Sequence, residues 1–583
     1  MALAVTACGL AYDPGAYAAD PKRTLLVLLG AAATVTSLTA AARSTRHRAR
    51  GASPRAPRAV PRALAAALTF VALSVLSLLW GRAPGALDAA TWIAAASVGA
   101  FSFRMRAASA MACARLAGLW LGGAVGRWAL ASALLGARGF ALHAGQGNPN
   151  WLGLLLAVTL PLALDTCILH ARRGRRFARR GALVLLFTAP QVPALYLSHS
   201  RVAWVAAGVA CLFVLAFALL ARRRRTALGA LAATLLLACA LLSGSPASAE
   251  ERDALTADVP AAQSLHGRVL IWKASAVAAR SALPFGSGLG SFAHAFHDAQ
   301  GLLLEKLTPS AAARAYENAT TAHQEYLQTA TESGPLATLA LVLALVLGAA
   351  GSVRARFLGG AGSLAACGIT ALGDSPLRQP AVVLLVALTL GALRGASTTA
   401  RAARTLRTPL AGRGFLVVLL VASACGLTRA ARSWLGTRAY MASFDAAPDA
   451  RMRLLGRSAR LDPEAGEPRF ERALLLLSMG EPRDALVDLD AASARMADTG
   501  IFSARGQAHL ALEEPRAAEA DYRQALTWNP GSLRARVGLA ESCHRQGKHE
   551  EAEAQARIAK KLSPGNPQVR ELLDAIHESQ ADE

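Results

Sequence analysis

The chain has 583 residues, a net charge of +24, only 17% charged residues and a mean hydropathy of +0.34. A soluble protein of this length carries about a quarter charged residues, so the composition excludes an ordinary soluble enzyme and points to a polytopic membrane protein with a soluble tail. Many Arg residues sit in short clusters between apolar runs, the pattern of cytoplasmic loops, which argues against nucleic acid as a partner.

In chain order, Met1–Leu10 is apolar but too short to span, and Asp13-Pro14-Gly15 breaks any helix. The expectation is half of a first span whose start codon is misplaced. Apolar runs then recur, most of them of roughly 17–20 residues, enough to cross ~30 Å of hydrocarbon. They are Thr24–Ala42, Ala63–Trp80, Ala89–Phe103, Ala107–Val125, Trp151–His170, Gly181–Ser198, Val202–Leu220, Thr226–Leu242, Gly334–Gly351, Phe357–Leu372, Pro380–Leu393 and Gly414–Leu427. With about 12 spans, the basic clusters Arg43–Arg62, Ala171–Arg180, Arg222–Arg225 and Arg394–Arg413 all fall on one side. The segment 243–333 then forms one large loop on the other side, together with the Gly147–Trp151 turn, Arg201 and the C-terminal region. Arg115, inside a span, requires a partner or a polar cavity.

From about Ala442 the composition turns soluble and a repeat appears. Gly480-Glu481-Pro482, Glu513-Glu514-Pro515 and Gly547-Lys548-His549 recur in phase, as do Leu461-Asp462-Pro463, Trp528-Asn529-Pro530 and Leu562-Ser563-Pro564. Pro530 to Pro564 is 34 residues, the tetratricopeptide period of paired antiparallel helices. About three repeats and a capping helix are expected, forming an α-solenoid whose concave face suits a protein or peptide partner. The domain division expected is 1–430 for the membrane part, with 243–333 as its loop, and 431–583 for the repeats.

Chemistry is sought in the loop and beside it. Arg201 and Arg268 stay charged at physiological pH and can grip phosphate oxygens bidentately. The alternative for Arg201 is that it snorkels to lipid headgroups. His323 can act as general base toward a hydroxyl, or it is a solvated or capping His. Glu325 lies about 200° round the helix from it and cannot orient it. His266, His294 and His297 are weaker rivals. Gly286–Gly290 reads as a tight turn, Asp488-Leu489-Asp490 as a solvated helix face, and Asn318-Ala319-Thr320 as a sequon by pattern only. Six of the eight Cys fall in apolar spans, and no Cys/His spacing predicts a metal site or a disulfide framework.

Taken together and in order, Gly147-Asn148-Pro149-Asn150-Trp151, Ser200-Arg201, Gly267-Arg268 with Trp272, Pro284–Phe292 and Ala322-His323-Gln324-Glu325-Tyr326-Leu327 resemble the O-antigen ligase and O-antigen polymerase family of bacterial inner-membrane glycosyltransferases. The resemblance covers about Thr24–Leu427. Gln324 stands where the family usually has Asn. The resemblance implies an all-α, GT-C-like helical bundle that takes an undecaprenyl-pyrophosphate-linked glycan as donor. It implies transfer to an acceptor hydroxyl of a glycan, lipid or protein in the periplasm, without metal or cofactor. On this chain it implies that Arg201 and Arg268 hold the pyrophosphate and His323 activates the acceptor. Asn148, Asn150, Trp272, Gln324 and Tyr326 would support them. The repeats would then be periplasmic. A protein O-oligosaccharyltransferase of the same family, a lipid-linked glycan transporter and a repeat scaffold for envelope assembly are the rival readings.

Overall fold

The computed structural model describes residues 1–13, 16–17, 19–48, 62–81, 85–137, 143–146, 148–171, 178–220, 265–393 and 413–581. The expected span Thr226–Leu242, the first part of the large loop, Arg222–Arg225, most of the 394–413 basic segment and Gly147 lie outside them. Among the described residues the regular structure is helical throughout.

The first helices are α1 (Ala2–Leu10), α2 (Ala19–Arg48), α3 (Arg62–Leu76), α4 (Ala86–Arg104), α5 (Ala107–Leu134), α6 (Pro149–Ala171), α7 (Ala178–Thr188), α8 (Gln191–Leu197) and α9 (Arg201–Leu220). The loop contributes α10 (Leu265–Ser281), α11 (Phe292–Leu304) and α12 (Pro309–Ala315). Then come α13 (Glu325–Arg354), α14 (Leu358–Thr370), α15 (Pro380–Ala392) and α16 (Arg413–Ala442). The C-terminal helices are α17 (Pro448–Leu461), α18 (Glu467–Ser478), α19 (Pro482–Ser493), α20 (Thr499–Ala511), α21 (Pro515–Trp528), α22 (Leu533–His544), α23 (His549–Leu562) and α24 (Pro567–Ala581).

The chain divides into two units. One comprises Met1–Leu76, Ala86–Asp258 and Gln324–Trp434, and the other comprises Ser77–Gly85, Val259–His323 and Leu435–Glu583. Residues 265–323 of the large loop thus belong to the same unit as the repeats, while 324–333 belong to the first unit.

In the first unit α6 is the central helix, packed against α5, α9 and α14. Six described helices are long and apolar enough to cross a membrane, namely Arg62–Trp80, Ala86–Phe103, Ala107–Leu134, Pro149–Ala171, Arg201–Ala218 and Glu325–Arg354. Four expected spans take another form. Gly181–Ser198 is two helices, α7 and α8, parted at Ala189-Pro190 because Pro lacks the N–H that a continuous helix needs. Helices α14 and α15 have 13 residues each, about 20 Å at 1.5 Å per residue. The expected span at Gly334–Gly351 begins nine residues earlier, at Glu325, and is kinked at Gly334 (φ 82°) beside Pro335.

Arg115 finds the partner its position demands. Its Nε donates to Asp165 Oδ2 at 2.6 Å, and its guanidinium lies 4.8 Å from the Phe357 ring centroid. The buried Asp165 is thereby neutralised between α5 and α6.

In the second unit the helix pairs α18/α19, α20/α21 and α22/α23 form three repeats, with α17 before them and α24 as the cap. Pro482 and Pro515 stand at the first position of α19 and α21, where the missing N–H costs nothing. Buried Ala, Leu and Ile fill the space between paired helices, as at Ala473, Ala485, Leu489, Ile501 and Ala504. The Asp488-Leu489-Asp490 triplet is structural: Leu489 is in this core, and Arg472 grips both oxygens of Asp488.

Candidate functional site

Arg201 is the first residue of α9 and is exposed. Among the described residues no hydrogen bond or ion pair engages its guanidinium. Asn148 caps α6, its Oδ1 accepting the Trp151 N–H at 2.8 Å. Asn150 lies half-buried in the first turn of α6.

These two helix starts lie side by side. A Cβ at Gly153 would stand 2.6 Å from Ser198 Oγ and 2.9 Å from Ser200 Cβ, so only glycine lets the turn before α9 rest on the first turns of α6. The 371–374 turn lies against α9 as well, since a Cβ at Gly373 would stand 2.8 Å from Val202 Cγ2. Carbonyls of that turn, at Ala371 (2.9 Å) and Asp374 (3.2 Å), accept the Glu325 N–H that opens α13. Three helix N-termini and the Arg201 guanidinium therefore gather in one region of the first unit. Each N-terminus carries roughly half a positive charge, so the region favours an anion.

Gln324 and Tyr326 are fixed by structure rather than free for substrate. The Gln324 side chain caps α13 by accepting the Leu327 N–H, and the Tyr326 hydroxyl donates to Gly368 O at 2.9 Å. Glu325 is buried, and its carboxylate accepts the Leu377 N–H at 3.0 Å.

In the second unit Arg268 is half-buried in the first turns of α10, and Trp272 lies one turn further on. The Trp272 indole N–H is enclosed without a partner among the described residues. His323 precedes the α13 cap, half-buried, with φ 47°. That left-handed conformation is uncommon for a residue with a Cβ and is frequent at functional turns. The run Gly286–Gly290 is a turn, with Gly286, Gly288 and Gly290 all at positive φ. Leu289 N–H donates to Ser77 Oγ at 3.0 Å, and Trp80 Nε1 donates to Gly286 O at 3.0 Å.

Two of the rival histidines, His294 and His297, have other work. His297 is fully buried, and His294 Nε2 lies 3.4 Å from Ser493 O in the repeats. Burial pushes His297 down to about 4, well below the usual imidazole range, so it is neutral at physiological pH.

Sequence reasoning passed over one centre, Arg378. This side chain reaches Asp88 Oδ2 (3.0 Å) and Glu332, and it lies 3.9 Å from Glu325. Arg23 joins from α2, its Nη2 3.3 Å from Asp88 Oδ1. The available signal was an acid, Glu332, close to a predicted span, which demands a cationic partner somewhere.

The family comparison assigns residues 182–342 to the O-antigen ligase family and residues 503–567 to the tetratricopeptide repeat. The first match contains Arg201, Arg268, Trp272, His323, Gln324 and Tyr326. Curated proteins give no match. Among solved structures, the chain is similar to yeast Tom70, at 16% identity over 71% of this chain and 95% of that one, with a TM-score of 0.23. It is similar to the TPR domain of P58(IPK), at 13% identity over 72% and 99%, with a TM-score of 0.21. A third is the first TPR of Spaghetti (RPAP3) bound to an HSP90 peptide, at 19% identity over 21% and 96%, with a TM-score of 0.20. At these TM-scores the likenesses carry no argument. The family matches, the apolar helices and the three helix pairs do: residues 182–342 match the O-antigen ligase family and residues 503–567 the tetratricopeptide repeat, six described helices are long and apolar enough to cross a membrane, and the family match supports a glycosyl-transfer role in envelope biosynthesis.

Proposed function

We propose that this protein transfers a glycan from an undecaprenyl-pyrophosphate carrier to an acceptor hydroxyl at the periplasmic face of the inner membrane. Arg201 and Arg268 hold the pyrophosphate, and their guanidiniums do the charge neutralisation that a metal supplies in soluble transferases. His323 takes the acceptor proton as its oxygen bonds to the anomeric carbon. The bond from that carbon to the pyrophosphate oxygen breaks, and undecaprenyl pyrophosphate leaves with both electrons. The observation that carries this reading is the exposed Arg201 at the start of α9, inside the matched family segment and close to the N-termini of α6 and α13.

The test uses full-length protein in membranes, supplied with a polyprenyl-pyrophosphate-linked glycan. Removing a transition-state donor lowers turnover by about a hundredfold or more, and removing a general base by about 10²–10⁴. Arg201→Ala, Arg268→Ala and His323→Ala should each do so while the protein still inserts. Full transfer by all three would sink the mechanism. Transfer of lipid-linked glycan into vesicles without bond formation would favour a transporter. In cells, gene deletion should remove long-chain surface glycan and leave its core intact. Loss of glycan from proteins instead would identify an oligosaccharyltransferase.

A further inference from the structure

Repeat domains are expected to present a surface to a partner, and here a surface of the repeats is occupied by the chain's own loop. Helix α11 packs on α21, and α12 packs on α23. His297 is stacked between Trp528 and Tyr316, with ring centroids 5.2 and 5.8 Å away. Trp528 Nε1 donates to Asp298 Oδ1 at 2.8 Å. Asn318 Nδ2 reaches Asp498 Oδ2 at 3.3 Å.

The two backbones approach so closely that a glycine is needed on each side. A Cβ at Gly301, in α11, would stand 2.1 Å from Thr527 O. A Cβ at Gly531, in the repeats, would stand 2.2 Å from Ala313 N in α12. Contacts this tight between apolar and aromatic groups describe a packed interface rather than a grazing one.

The contact leads toward the residues proposed for chemistry. Helix α10, which carries Arg268, packs on α11. Gln300 of α11 clamps the backbone of Glu317, donating to its carbonyl at 2.9 Å and accepting its N–H at 2.8 Å. Six residues later the same strand of chain reaches His323.

We propose that the repeat domain works in cis, with its surface around Trp528 and Gly531 docking residues 292–318 of the same chain and thereby positioning Arg268 and His323. Trp528 is a positioning residue, not a catalytic one. The inference rests on the transfer mechanism above for its catalytic readout, while its structural readout is independent of that mechanism.

The experiment compares full-length wild type, Gly531→Ala, Gly301→Ala, Trp528→Ala and Trp528→Phe in detergent, by amide exchange and by transfer kinetics. Loss of docking should raise exchange in Phe292–Leu304 by about tenfold or more, while Leu533–Leu562 stays protected and so reports an intact repeat fold. Turnover should fall about tenfold with donor KM changed less than about twofold, because the binding groups remain but their geometry loosens. Trp528→Phe keeps the ring stack and should recover most of the loss. The Gly301→Ala and Gly531→Ala effects should be less than additive, since each breaks the same contact. Unchanged exchange in Phe292–Leu304 in both glycine variants would overturn the docking. Raised exchange with turnover within about twofold of wild type would overturn the positioning role and leave the transfer mechanism standing. A wild type without transfer activity would remove the mechanism, and the exchange data alone would then decide the docking.

Discussion

Arg378 Nη1 lies 3.0 Å from Asp88 Oδ2, which ties the turn before α15 to the first turn of α4, two segments 290 residues apart in sequence. The same guanidinium also serves Glu332 of α13. One cation thus ties the start of α4, the turn before α15 and the second turn of α13 together. Arg378→Ala should leave the buried Glu332 carboxylate without its cation, while Asp88 keeps Arg23, and lower stability by about 3–5 kcal/mol, the usual consequence of orphaning a buried charge. Thermal unfolding in detergent measures it. Arg378→Lys keeps the charge but cannot fork, so it should fall between. An unchanged melting temperature for Arg378→Ala would show that the network holds nothing.

The Arg115–Asp165 pair makes a sharper comparison. Arg115→Met or Asp165→Leu alone strands one buried charge and should destabilise by about 3–5 kcal/mol. The double variant replaces the pair by apolar groups and should come within about 1 kcal/mol of wild type. Transfer activity in the double variant should remain near normal. Its loss, with stability intact, would give the pair a role in chemistry or transport.

Gly153 sets how closely the Arg201 turn rests on α6. Gly153→Val forces a side chain into the space held by Ser198 and Ser200. Overpacking of this kind costs about 1–3 kcal/mol. Because the displaced segment carries Arg201, donor KM should rise about tenfold or more. Kinetics at several donor concentrations reads this directly, and an unchanged KM would separate Arg201 from donor binding.

The loop and repeat contact should weaken in acid. His297 is held down to about 4 by burial, while an unfolded imidazole titrates near about 6.5. A group with a lowered folded value binds fewer protons when folded, so its contribution is intact above about 6.5 and is lost as pH falls toward 4. The loss approaches about 3 kcal/mol at the lower limit. His294, Asp298, Tyr316 and Asp498 are the other titratable groups around it. Protonated His294 adds repulsion, while Asp298 and Asp498 oppose the change. Amide exchange in Phe292–Leu304 between pH 7 and pH 4.5 should show the onset, corrected for intrinsic rates, and His297→Leu should flatten it. A slope that survives in His297→Leu would assign the acid sensitivity elsewhere.

The sequence by itself determined the helical class, the alternation of apolar runs with Arg clusters, the repeats and the ordered motifs that place Arg201, Arg268 and His323 in one family. These are local properties. A span is an uninterrupted apolar length, a repeat is a period, and both are visible within a few tens of residues. It also told that Arg115 needs a partner, because an unpaired charge in a span is costly wherever it lies. What it left undecided depends on residues far apart in the chain. Asp165 as that partner, Arg378 as a hub for three acids, and the close seating of Ser200 on Gly153 all require helices to be packed before they exist. The shortness of α14 and α15 and the break at Pro190 were hidden for a related reason, since apolar length does not say where a chain stops being helical. The occupation of the repeats by residues 292–318 lay furthest from view. It joins Gly301 to Thr527 across 226 residues of chain, and no local pattern records that Gly301 must face the backbone at Thr527 and Gly531 the backbone at Ala313.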